Sequence, residues 1–486
     1  VTQQHSGSSY SLSVLPFKHI ENSYFDYEKE QLIPELLSTE GPTLLQADFN
    51  GDGIDDLFLG GAKAQPSAIL LGSKKGDFKN LYQPAFEIDR NFEDIAVASI
   101  DIDRDGDLDL YVGSGGNTVI SPDNSYEDRI YVNNGKGLFT RAPISLPQTH
   151  TGTVAIADFD NDGIQDYFVG SRSITGAYGL TPRSFIIKND QGRAMKILIK
   201  EQFGMLTDSA WVDLNNDGFL DLVLVGDWMP ITVLINQQGK GFENQTANYG
   251  LQHTQGLWNT VAFFDFDQNG FLDIIAGNVG ENFKWKPNSE SPVTLYLDDF
   301  DENQQVDPII FYPFFGSQVP FVSKDKLAQQ LPIVKKRFPA YKDFSTVSDI
   351  TAVVGKAPET ILQIKELKEL RSMLFLNDGN QFKGVPLPKF AQQSTIEDIA
   401  VNPEDGTVYF VGNTKSYVVE LGMMQANPGG ELRDFDPQRL QFTTTLPLPL
   451  PHGTLGREIR RLDNGDLVVA TNNDFAYLLK QKPNIK

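Results

Sequence analysis

The chain contains no cysteine, which excludes disulfides, thiolate nucleophiles and zinc–thiolate centres. Histidine is scarce as well. His5, His19, His150, His253 and His452 are scattered, and none pairs with another at zinc-ligand spacing. No G-x-S-x-G elbow or other nucleophile–base constellation is found. No run of about 18 apolar residues occurs, so no membrane-spanning helix is read. Positive charge is also in short supply: 41 Lys and Arg stand against 64 Asp and Glu, for a net charge of −23. A nucleic-acid surface needs the opposite balance, and no basic, aromatic-rich groove is legible.

The acids that are present are ordered. In Asp101-Ile102-Asp103-Arg104-Asp105-Gly106-Asp107-Leu108-Asp109, carboxylates stand at positions 1, 3, 5 and 9 with glycine at 6. Such residues reach one centre only if the backbone coils tightly, and glycine admits the positive φ that the coil needs. Position 7 would add a backbone carbonyl. The result is an all-oxygen cage of the kind Ca²⁺ takes.

The pattern recurs at Asp48, Asn50, Asp52, Ile54 and Asp56; at Asp158, Asp160, Asp162, Ile164 and Asp166; at Asp213, Asn215, Asp217, Phe219 and Asp221; and at Asp265, Asp267, Asn269, Phe271 and Asp273. The loop starts lie 52 to 57 residues apart, a repeat period. Each loop is flanked by short apolar runs, such as Trp211-Val212 before and Leu222-Val223-Leu224-Val225 after. Two more strand signals follow in each unit. Four antiparallel strands repeated about an axis make a β-propeller. The fold is therefore read as all-β, a calcium-loop propeller of seven blades, with eight as the alternative.

The repeated D-x-[DN]-x-[DN]-G-x-x-D loops, each followed by an apolar strand, resemble the FG-GAP/VCBS repeats of integrin-alpha-like propellers. More narrowly, the chain is similar to VCBS-repeat proteins of Bacteroidetes-like bacteria. That likeness rests on Gly226-Asp227-Trp228-Met229-Pro230-Ile231-Thr232, Asp307-Pro308-Ile309-Ile310 and Pro320-Phe321-Val322-Ser323-Lys324-Asp325. The resemblance implies the fold and calcium, and leaves the biochemical role open.

Five loops hold 17 carboxylates at ligand positions, so much of the acidity reads as metal-ligating. Five calcium sites are expected, at the loops that include Asp101, Asp103, Asp105, Asp107 and Asp109. A sixth loop, Asp299, Asp301, Asn303, Gln305 and Asp307, has Gln304 where glycine belongs. It is a possible sixth site at the expense of a strained turn. Loops of this type fill where calcium is abundant, so an extracellular or cell-surface location is expected, with outer-membrane-associated or periplasmic settings as variants. The start at Val1-Thr2-Gln3, without Met, is expected of a processed chain or a fragment, and a lipid anchor on a missing N-terminus is compatible with it.

Residues 1–13 are polar and are expected to be flexible; 14–486 form one propeller domain. Val14-Leu15-Pro16-Phe17 is expected to supply the outer strand that closes the last blade. Residues 324–372, with helix-favouring runs at Lys324–Leu331 and Glu359–Arg371, are read as a helical insertion. Within it Lys335-Lys336-Arg337 is the one basic run, a solvated helix face or a docking point for an acidic partner. The sixth loop starts only 34 residues after the fifth, so the two are expected to share a blade.

Among the tryptophans, Trp211 is expected to pack in the core. Trp228 and Trp285 stand on loops and are candidate ligand contacts, because aromatic rings on propeller loops stack on sugars or peptides. The function that fits best is non-enzymatic binding to a protein of the cell envelope or to a glycan. Two alternatives are a calcium-dependent polysaccharide lyase using His150, His253 or a Lys as base, and a structural module of a larger surface or secretion assembly.

Overall fold

The computed structural model describes residues 9–118, 126–189 and 195–482. Each of the five regular loops joins two antiparallel strands, and the aspartate at position 9 opens the second. The pairs are Leu44–Ala47 with Asp56–Leu59, Asp94–Ile100 with Asp109–Ser114, and His150–Ala157 with Asp166–Ser173. Met205–Val212 with Asp221–Met229 and Thr260–Phe264 with Asp273–Gly277 follow. The second strands are buried along their whole length, which is why they read as unbroken apolar runs.

Two further strands complete each sheet in antiparallel order. The first strands of the sheets, beginning at Leu44, Asp94, His150, Met205, Thr260, Ile396 and Gly456, neighbour one another in turn, and the last adjoins the first. The sheets thus radiate from a common axis as a β-propeller. Hydrophobic clusters fill the spaces between neighbouring sheets. Phe49, Phe58 and Ile69 of the first, for example, pack on Leu110, Val112 and Tyr131 of the second.

The N-terminal strand closes the ring as expected. Tyr10–Lys18 pairs outside Phe475–Gln481, with Leu12 opposite Leu479. This corrects the flexible segment 1–13: residues 10–13 belong to the strand, and residues 1–8 lie outside the described residues. Tyr10 is buried, and its hydroxyl donates to Tyr409 Oη at 3.1 Å, so the closing strand is anchored at its first residue.

The fifth sheet is interrupted. Its second strand, Asp273–Gly277, pairs with Met373–Asn377 nearly a hundred residues on, with Ile275 opposite Leu374. The intervening chain builds a separate sheet in the order Ser317–Pro320, Asp307–Phe314, Val293–Asp298, Gln363–Leu367. The fifth and sixth loops therefore lie in different sheets, which corrects the expected shared blade.

Helices occupy only part of the insertion: Lys324–Gln330, Pro332–Arg337, Tyr341–Phe344 and Ile350–Val354. Ser323 and Asp349 cap two of them by accepting from Lys326 N and Ala352 N. The helix-favouring run Glu359–Arg371 is instead the edge strand Gln363–Leu367, because pairing with Val293–Asp298 overrides propensity. Arg337 donates to the carbonyls of Thr351 and Ala352, and all three residues of the basic run, Lys335, Lys336 and Arg337, are exposed. Among the described residues no helix is long and apolar enough to cross a membrane.

Candidate metal centres

All six loops share one backbone scheme. The aspartate at position 1 accepts from the amide at position 6: Gly53 N to Asp48 at 2.7 Å, Gly106 N to Asp101 at 3.2 Å, Gly163 N to Asp158 at 2.7 Å, Gly218 N to Asp213 at 2.9 Å, Gly270 N to Asp265 at 2.9 Å and Gln304 N to Asp299 at 2.8 Å. The five glycines have φ between 78° and 93°. A side chain there would meet open space, so glycine serves the backbone angle and not a close contact. Gln304 takes the same conformation at φ 69° and bears the strain that five glycines avoid. Position 4 is also left-handed in every loop, at Gly51, Arg104, Asn161, Asn216, Gln268 and Glu302, a feature the acid spacing does not announce.

The position-9 carboxylates are fully buried and tie the loop to the sheet. Asp109 accepts from Ile102 N at 2.9 Å and from Asn133 N, at the end of the third strand, at 2.7 Å. Asp56, Asp221 and Asp273 repeat the scheme with Gly72 N, Asn236 N and Asn377 N. Asp166 accepts from Asn189 N at 2.8 Å. Burial pushes these carboxyls up, to about 6 at Asp56, Asp109, Asp166, Asp221 and Asp307 and about 7 at Asp273, against the pull of the amides that bind them.

Whether these residues suit a hard cation is decided by their free oxygens. Asp101, Asp103 and Asp109 bring carboxylate oxygens within 4.8 Å of one another, as do Asp158, Asp160 and Asp162; Asp265, Asp267 and Asp273; and Asp299, Asp301 and Asp307. Asp101 Oδ1, Asp107 Oδ1, Asp267 Oδ1 and Asp301 Oδ1 are buried without a hydrogen-bond partner. Converging, desolvated carboxylate oxygens fit a Ca²⁺ ion, which would neutralise their mutual repulsion and link strand to strand. The second, third, fifth and sixth loops meet this test, the third with Asp160 Oδ1 and Asp166 Oδ2 buried and unpartnered. The first and fourth, with Asn50 and Asn215 at position 3, do not bring three carboxylates so close among the described residues. As in every loop, an oxygen at position 5 accepts from the amide at position 7: Asp52 from Ile54 N and Asp217 from Phe219 N, both at 2.9 Å. Asn269, Asn303, Asp105 and Asp162 bond the amides of Phe271, Gln305, Asp107 and Ile164 in the same way. In the third loop Lys188 Nζ lies on Asp160 and, at 2.8 Å, on Asp162, and it holds the Asp162 carboxyl below its usual range.

The candidate ligand tryptophans are not available to a ligand. Trp228 is 3% and Trp285 1% exposed. Their rings pack 6.1 Å apart in the core that joins the inserted sheet to the ring, and Trp228 Nε1 donates to Tyr178 Oη at 2.9 Å. This corrects their reading as stacking platforms. Each sits beside an apolar surface that the insertion covers, and the insertion was not legible as a sheet. Trp211 packs on Phe159 and Phe242, as expected of a core residue.

Sequence reasoning missed a polar centre inside the ring. A cavity of about 220 Å³ is lined by Glu40, Arg172, Asp208, Glu397, Arg457 and Arg460, among others. Arg172 reaches Glu40 at 2.9 Å and Asp227 at 2.5 Å. His150 bonds Glu40 through Nε2 at 3.0 Å and Ser173 through Nδ1 at 2.7 Å, so both nitrogens are engaged. Burial alone would raise Glu40, but His150 and Arg172 hold it down at about 2. Glu40 belongs to a segment outside the repeats, so no periodic signal connects it to Arg172. His253 and His452 are exposed, and His5 lies outside the described residues.

The repeat is found again by comparison with a known family. Residues 48–112, 115–169 and 213–276 match the FG-GAP-like repeat. No curated protein is significantly similar in sequence. Among solved structures, the extracellular domain described as a hybrid two-component system of B. thetaiotaomicron is 12% identical, with a TM-score of 0.39 over 97% of this chain and 40% of that one. BBS1N, solved with ARL6DN, is 9% identical, with a TM-score of 0.42 over 97% and 99%. The WD40 β-propeller domain of Doa1 is 9% identical, with a TM-score of 0.41 over 93% and 98%. At these values the likenesses assign no ligand or activity. The chain is an all-β propeller that carries FG-GAP-like repeats.

Proposed function

We propose that this protein is a non-enzymatic, calcium-stabilised propeller of seven blades with an inserted sheet, working outside the cell and binding a protein partner of the envelope. The calcium part is supported by the converging, unpartnered carboxylate oxygens of the second, fifth and sixth loops. An exterior setting follows from it, because such sites fill where calcium is plentiful. The narrower kinship with VCBS-repeat proteins of Bacteroidetes-like bacteria belongs to the same proposal.

The binding part is carried by one observation. The inserted hairpin, Asp307–Phe314 with Ser317–Pro320, turns through Phe315 and Gly316. Phe315 has φ 47° and Gly316 φ 80°, the two-residue turn that favours Asn-Gly. A phenylalanine in that conformation is strained, and it is 94% exposed. Beside it Phe314 is 49% exposed. An apolar pair presented on a strained turn serves an apolar pocket on a protein better than the hydroxyl-rich face of a sugar.

The test is binding of the calcium-loaded protein to a glycan panel and, in parallel, crosslinking to native envelope proteins. A protein crosslinked through the hairpin supports the reading. Calcium-dependent binding to one sugar class, with no protein crosslinked, would replace it with a lectin-like role.

A further inference from the structure

The third loop differs from the others in a way its acids do not reveal. Its position-9 aspartate is met, as elsewhere, by the amide of the residue closing the third strand: Gly72, Asn133, Asn189, Asn236 or Asn377. The residue just before that amide is Leu71, Val132, Ile235 or Leu376 in four sheets. In the third sheet it is Lys188. Its ammonium lies on Asp160 Oδ2, is 2.8 Å from Asp162 Oδ2 and is 3.9 Å from the buried Asp166. It thus bonds positions 3 and 5 and stands beside position 9, whose Oδ2 has no hydrogen-bond partner, so it sits among the carboxylates that would help surround a calcium ion. Asp158, at position 1, is held separately by the amides of Asp162 and Gly163.

We infer that Lys188 is a built-in cation that occupies the third loop, so that this blade closes without calcium although its acid spacing is complete. The inference rests on the calcium reading of the other loops. An ammonium tethered in the cage acts at very high effective concentration, and a divalent ion entering it must displace the lysine as well as shed its own water. Replacing the lysine by the apolar residue its sister strands carry removes the competitor and leaves the ligands intact.

The experiment counts calcium bound per chain by calorimetric titration and by metal analysis after dialysis, for the full chain and for Lys188→Leu. Lys188→Gln is run alongside in case the leucine variant folds poorly. The inference predicts one more calcium per chain in the variants, a gain abolished by adding Asp162→Asn. It also predicts that Asp162→Asn alone leaves the wild-type count unchanged. Equal, non-zero counts in wild type and variants overturn the inference and leave the calcium reading standing. Zero in all proteins overturns the calcium reading and this inference with it. As a metal-independent check, Lys188→Gln should melt below wild type in EDTA and recover in calcium. Failure to recover counts against the inference.

Discussion

Phe315 meets Phe314 edge-on, with 4.6 Å between ring centroids, at the tip of the inserted hairpin. From there the rings of Tyr312, Phe321, Trp285 and Trp228 follow at 5.9, 6.0, 5.1 and 6.1 Å, so the exposed pair is the outer end of an aromatic ladder that reaches the core. Phe315→Asn keeps the turn, since Asn tolerates a left-handed φ, and removes the ring. We expect partner crosslinking to be lost while the melting temperature stays the same or rises. Retained crosslinking would rule out the tip as the contact.

At the buried end of the ladder the expectation is opposite. Trp285→Ala should destabilise by about 3–5 kcal/mol through the cavity it leaves. Urea unfolding measures this. A loss of binding with unchanged stability would restore Trp285 as a ligand contact.

The sixth loop offers a test of strain. Gln304→Gly places glycine at φ 69° and should stabilise the calcium-free protein by about 1 kcal/mol. Denaturant midpoints of the two proteins check it. A destabilisation would mean that the Gln304 side chain contributes more than its backbone costs.

Acidity should affect the calcium-free protein in an unusual direction. The position-9 carboxyls titrate near 6 to 7 when folded, above the ordinary value of 3.8. Between these limits the folded state holds more protons than the unfolded one, so stability falls as pH rises. Asp128 and Glu458, both raised by burial to about 7, act the same way. His19, lowered to about 4 by burial, opposes them, but it is one group against many. In EDTA the melting temperature should therefore rise on going from pH 7.5 to 5.5. With calcium the trend should reverse, because protons compete with the metal for the same oxygens. A falling melt in EDTA would contradict the assignment.

The loops were legible because ligand geometry demands particular residue types at a short, fixed spacing, as in Asp101 to Asp109. The closing strand was legible because a ring of sheets needs its ends joined, and Val14–Phe17 carries a strand pattern. The inserted sheet was not. Nothing local tells Ile275 that its partner is Leu374, and Gln363–Leu367 has helical composition that only its neighbour Val293–Asp298 overrides. Lys188 escaped notice because a lysine in a strand reads as a solvated residue until the register sets it over three aspartates. The burial of Trp228 and Trp285 is not legible in the sequence for the same reason: the surface that covers them is built by the insertion.

The central claim is that calcium in these loops holds the propeller together, and thermal unfolding in calcium against EDTA tests it most directly. Binding to the native state alone stabilises it by linkage, and several sites add. The account predicts a clear rise in melting temperature that grows with calcium concentration and is weakened by Asp109→Asn. Identical melts in calcium and EDTA would contradict it.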